Sequence, residues 1–108
     1  MKKELRQILD ELANSVHKYE SGAWQSKENL VKIQRSLSAN VYYLTQHNIE
    51  AFQHWNKLKY EFKGSNASAE TYAHEEIPEL RLTRKILEAA KNVQISISNE
   101  ISIIKNEG

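Results

Sequence analysis

Four histidines, one pair of adjacent glutamates and a run of lysines interleaved with aromatic rings are the side chains of this 108-residue chain with chemistry to offer. His47 and His54 stand seven residues apart. On a helix they share a face but sit two turns from each other. His17 and His74 are remote from them in sequence. No HExxH or comparable ligand spacing occurs, and a structural metal site wants three or four convergent ligands, so neither metal nor cofactor is expected. Glu75 and Glu76 are neighbours and point in different directions on a helix. No Ser-His-Asp order has supporting context, and there is no glycine-rich phosphate loop. The residues therefore predict no enzyme and no small-molecule substrate.

The lysines and rings fall in "HWNKLKYEFKG", residues 54–64. Lys57, Lys59 and Lys63 alternate with Trp55, Tyr60 and Phe62. Such mixtures suit single-stranded nucleic acid, because ammonium groups contact phosphates while rings stack on bases. Trp55 and Phe62 read mostly as core, which leaves Tyr60 as the ring free to act. A second basic group is Arg81, Arg84 and Lys85, whose spacings of three and four place them on one side of a helix. These could bind phosphates or pair with Glu88 and the acidic stretch 70–79. Lys32, Arg35, Tyr43, Gln46, His47 and Gln53 extend the polar face upstream, diluted by Glu50 and Glu61.

Composition sets the frame for these residues. Hydrophobic residues make up 40% and charged residues 27%, as in a polar-surfaced folded chain. Three glycines and one proline are too few for the turns of a sandwich or barrel, so long helices are expected. Net charge is only +1, but it is uneven. Residues 30–64 carry five basic and two acidic side chains, a local +3, and residues 65–83 carry one basic and four acidic, a local −3. The absence of cysteine rules out disulfide and thiol chemistry and suits a cytoplasmic protein. No run approaches the roughly 18 apolar residues of a membrane span. "MKKELRQILDELA" meets Glu4, Asp10 and Glu11 where a signal peptide would need an apolar core.

Period and punctuation define the elements, within a single domain over residues 1–108. Leu5, Ile8, Leu9, Leu12, Val16 and Tyr19 predict an amphipathic helix over 3–20. "SGAWQS" breaks it, and Ser26 can cap the next helix. Residues 27–63 lack glycine and proline and carry one long stripe: Leu30, Ile33, Leu37, Val41, Leu44, Phe52, Trp55 and Phe62. Asn48 falls on that stripe, either as a polar residue that fixes register or at a solvated edge. A loop is expected over 63–70, with Gly64 as helix C-cap. A short helical piece is expected over 69–76, before Pro78 interrupts the α conformation.

The last segment, "NVQISISNEISII", poses a choice between periods. Val93, Ile95, Ile97, Ile101 and Ile103 alternate as in a strand. Leu82, Ile86, Ala90, Val93, Ile97, Ile101 and Ile104 recur as on one helix face, and that stripe begins well upstream. "EAAKN" favours helix and no turn signal comes after it, so a helix over 79–106 is expected despite the β-branched residues.

Apolar residues also lie off the main faces: Val31, Tyr42, Ile49 and Tyr60 on the second helix, Ile95 and Ile103 on the last. A lone helical hairpin with an added N-terminal helix buries one face per helix. Val31, Tyr42, Ile49, Ile95 and Ile103 are therefore the expected oligomer interface, and the fold class is all-α, assembling into an oligomeric bundle or ring.

A long helix ending in "NKLKYEFKG", a polar loop and then "AETYAHEEIPELRLTRKILEAAKNVQISISNEISIIKNE" resembles small phage-encoded helical proteins related to the UvsY recombination mediator. The likeness covers about residues 30–107 and rests on helix layout. It implies a closed homo-oligomeric ring that binds single-stranded DNA and helps load a RecA-like recombinase, in the cytoplasm of the host cell. The family's DNA-contacting run ends near paired tyrosines and a glycine. Anchored on Gly64, this chain keeps an aromatic at Phe62, while Lys57 and Lys59 fall outside the family's register. The expected DNA-contacting residues are Lys57, Lys59, Tyr60, Lys63, Arg81, Arg84 and Lys85. The alternative is a helical protein–protein module, an adaptor or a phage inhibitor of a host protein, with no DNA contact.

Overall fold

A computed structural model describes residues 3–22 and 26–107. It contains four helices and, among the described residues, no strand: α1 (Leu5–Ser21), α2 (Lys27–Glu61), α3 (Asn66–Glu76) and α4 (Glu79–Glu107). The helical period is thus the real one in residues 93–104. Residues 23–25 of the expected first break lie outside the described residues.

Local chemistry explains the boundaries. The Ser26 hydroxyl accepts from the Asn29 N–H at 3.1 Å and caps α2. Ser65 does the same for α3 through the Ser68 N–H at 3.2 Å. α3 therefore starts earlier than the expected 69. Its end at Ile77, with φ −124° and ψ 69°, precedes Pro78, and α4 begins afresh at Glu79. The proline breaks the helix rather than kinking it.

Gly64 is not the C-cap that the sequence predicted. α2 ends two residues sooner than 63, with Phe62 in extended conformation and its N–H on the Leu58 carbonyl at 3.1 Å. No glycine among the described residues has positive φ. What Gly64 provides is space: a Cβ there would stand 2.8 Å from Cε1 of Phe62.

α2 is the spine, with 35 residues spanning roughly 52 Å. α1, α3 and α4 each pack on it, giving a rod of 62 × 26 × 20 Å. α1 runs antiparallel to α2, as the Ser15–Ser36 hydroxyl pair (3.0 Å) and the Lys3 ammonium on Asn40 Oδ1 (3.2 Å) show. α4 is also antiparallel to α2. Gln34 Nε2 donates to the Gln94 carbonyl (3.0 Å) and to Ser98 Oγ (2.8 Å), and Gln94 Nε2 donates to Ser38 Oγ (3.0 Å).

The core joins Ile8 and Leu12 of α1 to Leu30, Ile33, Leu37 and Leu44 of α2 and to Leu87, Ala90 and Ile97 of α4. Asn48 is half-buried on the α2 stripe, and its amide donates to Thr83 Oγ1 at 2.9 Å. Thr83 is fully buried and passes its own proton to the Glu79 carbonyl at 2.7 Å. Asn48 thus sits at the contact of α2 with α4 rather than at a solvated edge.

The α4 stripe departs from expectation at its start. Leu82 is exposed, and Leu80 and Thr83 are buried in its place. The Tyr19–Glu100 contact sets α1 level with the later part of α4. In the first turn of α4 the Asn48 amide bonds Thr83, and the inward face includes Leu80. Phe52 is likewise exposed.

Tyr19 ties the far end of α1 to α4. Its hydroxyl donates to Glu100 Oε1 at 2.6 Å. The carboxylate that accepts this proton, together with partial burial as the lesser cause, pushes the phenol from 10.0 up to about 12. A raised pKa in the folded state means that the contribution is complete below pH 10 and is lost as pH rises through 12. Tyr19→Phe is expected to cost about 1 kcal/mol at neutral pH. It should also remove this part of the alkaline loss of stability, as read from unfolding midpoints against pH.

Candidate nucleic-acid interface

The basic-aromatic segment occupies the last turns of α2, where the three-helix packing has thinned and α3 folds back over the rod. α3 presses Ala69 and Ala73 into α2, with Ile77 just beyond them. Small side chains let the two backbones approach, and ring contacts fill the remaining space. Phe62 stacks on Tyr72 with centroids 5.2 Å apart, and Trp55 stacks on Phe52 at 5.8 Å and meets the His74 ring at 5.3 Å. Trp55 and Phe62 are thus half-buried against α3 rather than in the main core. Trp55 Nε1 and His74 Nδ1 are buried there without a hydrogen-bond partner.

The expected DNA contacts divide under this geometry. Tyr60 is 92% exposed, and Lys57 and Lys63 are exposed beside it in sequence. Lys59 is committed elsewhere: its ammonium pairs with Glu70 at 3.2 Å and lies 5.2 Å from the centre of the Trp55 ring. Arg81, Arg84 and Lys85 are exposed on the first two turns of α4. The Asn48–Thr83 bond levels that turn with Asn48, so Lys57, nine residues on, stands roughly 13 Å farther along α2. The two basic groups occupy the same half of the rod without forming one cluster. Between them the exposed Glu75 and Glu76 of α3 add negative charge.

The upstream polar face also divides. Tyr43 packs against the core with the Lys3 ammonium 5.1 Å from its ring centre, and His47 Nε2 bonds the Lys3 carbonyl at 2.7 Å. Both turn towards α1, away from any continuation of the basic face. Tyr72 is a site residue that the sequence does not reveal. It is partly exposed on the outer side of its stack with Phe62. No periodic signal in the short α3 marks it, because its value comes from a ring on another helix.

The second apolar stripe is largely open. Tyr42, Ile49, Ile95 and Ile103 are each more than half exposed, and Val31 is half-buried. His17 and His54 are exposed, and His74 serves the ring cluster. Among the described residues no group of three or more His, Asp or Glu is arranged to hold a metal ion, and no helix is long and apolar enough to cross a membrane.

Fold and surface together define an all-α protein: a long helical spine with three helices laid along it and a basic-aromatic patch at one end. No family model, no curated protein and no solved structure matches the chain.

Proposed function

We propose that this protein is a non-catalytic, homo-oligomeric accessory that holds single-stranded DNA, in the manner of the phage recombination mediators it resembles, with a RecA-like recombinase as partner. The observation that carries this reading is the open end of α2. There Tyr60, Lys57 and Lys63 face solvent and the partly exposed rings of Phe52 and Tyr72 lie near the same helix end. Rings supply sequence-tolerant stacking and the lysines supply phosphate contacts. Lys59, held by Glu70, contributes to the shape of the patch more than to its free charge. Arg81, Arg84 and Lys85 extend the track along α4.

The test is fluorescence anisotropy with a labelled single-stranded oligonucleotide at two salt concentrations. With about three phosphates neutralised, affinity is expected to fall roughly 20-fold between 50 and 200 mM salt. Tyr60→Ala is expected to weaken binding roughly tenfold by loss of one stacked base. Absence of binding at low salt and micromolar protein would remove the DNA reading. The exposed Tyr42 and Ile49 favour the second reading, a helical protein–protein module. Recovery of one host protein by a chain that ignores DNA would support it.

A further inference from the structure

α1 and α4 both pack on α2 but approach each other only loosely. The gap is an open apolar cleft of about 540 Å³, lined chiefly by Leu9, Ala13 and Val16 of α1 and Ile86, Ala89 and Val93 of α4. Leu9, Val16, Ile86 and Val93 remain half-buried, and Ala13 and Ala89 are exposed at its mouth. Three helices leave the position of a further layer vacant.

Charges at the two ends of the cleft are arranged by sign. Glu20 lines one end, where Glu100 also accepts the Tyr19 hydroxyl, and the exposed Arg6 lies on α1 towards the other end. Arg6 and Glu20 lie seven residues to either side of Ala13. A step of seven residues, about two helical turns, returns to nearly the same face. The Tyr19–Glu100 bond brings Ala13 and Val93 to about the same level.

We infer that this cleft is the docking surface for a second copy of the chain, related by a two-fold axis passing near Ala13 and Val93. That operation lays α1 antiparallel on the partner's α1 and α4 on the partner's α4. Arg6 then meets the partner's Glu20. A two-fold axis along the helices would instead lay α1 on the partner's α4 and set Glu20 near the partner's Glu100, which like-charge repulsion disfavours. Each contact occurs twice, as an isologous interface requires. The small Ala13 and Ala89 permit close approach, so the half-buried aliphatic side chains leave water. This surface is separate from Tyr42 and Ile49 on α2 and does not depend on DNA binding.

The experiment is molar mass by size-exclusion with light scattering across a dilution series, with circular dichroism as the check on folding. The wild-type chain is expected to assemble at a concentration of about 100 µM or below. Ala13→Glu sets two carboxylates together at the axis, and Arg6→Glu sets two at each end. Each is expected to weaken assembly at least about tenfold while the chain stays helical. Arg6→Glu combined with Glu20→Arg restores the pairing and is expected to return assembly to within about threefold of wild type. A wild-type mass of one chain, 12.5 kDa, throughout the series would overturn the inference. So would variants that assemble like the wild type while Tyr42→Ala with Ile49→Ala dissociates.

Discussion

Replacing Ile97 with alanine is expected to destabilise the fold by about 3 kcal/mol, and replacing Ile95 is expected to change it by less than about 0.5 kcal/mol. Ile97 is fully buried in the shared core of α1, α2 and α4, beside the Gln34 bonds to Gln94 and Ser98 that clamp the two long helices. Its truncation leaves a void that rigid neighbours on two helices cannot close. Ile95, two residues away, is more than half exposed. On a strand the two would share a face and the two losses would be alike. Urea unfolding followed by circular dichroism at low protein concentration reads the difference, and equal losses would contradict the helical packing of α4.

Ala73→Glu is expected to free α3 from the spine. Ala73 is fully buried against α2, and a carboxylate there has neither room nor partner. α3 has 11 residues, too few to remain helical in water alone. Its amides are therefore expected to exchange at least about 100-fold faster, which corresponds to nearly 3 kcal/mol of lost docking. The cost stops there, because the main core does not include α3. In a Trp24→Phe background the emission of Trp55 is expected to shift to the red as its contacts with His74 and Phe52 loosen. An unchanged exchange pattern in α3 would show that the strap is held by more than Ala69, Ala73 and Ile77.

The two predictions also mark how far the fold and the site were legible in the chain. Ile97 belongs to a stripe that repeats locally, and a step of four residues carries the same meaning wherever the helix packs. The docking of α3 had no such local signature. Its alanines, the Phe62–Tyr72 stack and the Lys59–Glu70 pair exist only once the loop has reversed direction. Lys59 looked equivalent to Lys57 along the sequence, and only its neighbour on another helix separates them. Leu82 and Leu80 differ by two residues, and only the packing of α4 on α2 decides which of them faces inward.

By itself, the order of residues determined what short-range physics can decide. Apolar spacing made the helices, the Ser26 hydroxyl started α2, and the ring of Pro78 stopped α3. Tertiary structure alone decided the rest: the bond between Asn48 and Thr83, the turning of Tyr43 and His47 towards α1, and the cleft left open between α1 and α4. The reason is one of range. A helix is specified by contacts within four residues, whereas the face it hides and the charges it leaves free depend on partners tens of residues away.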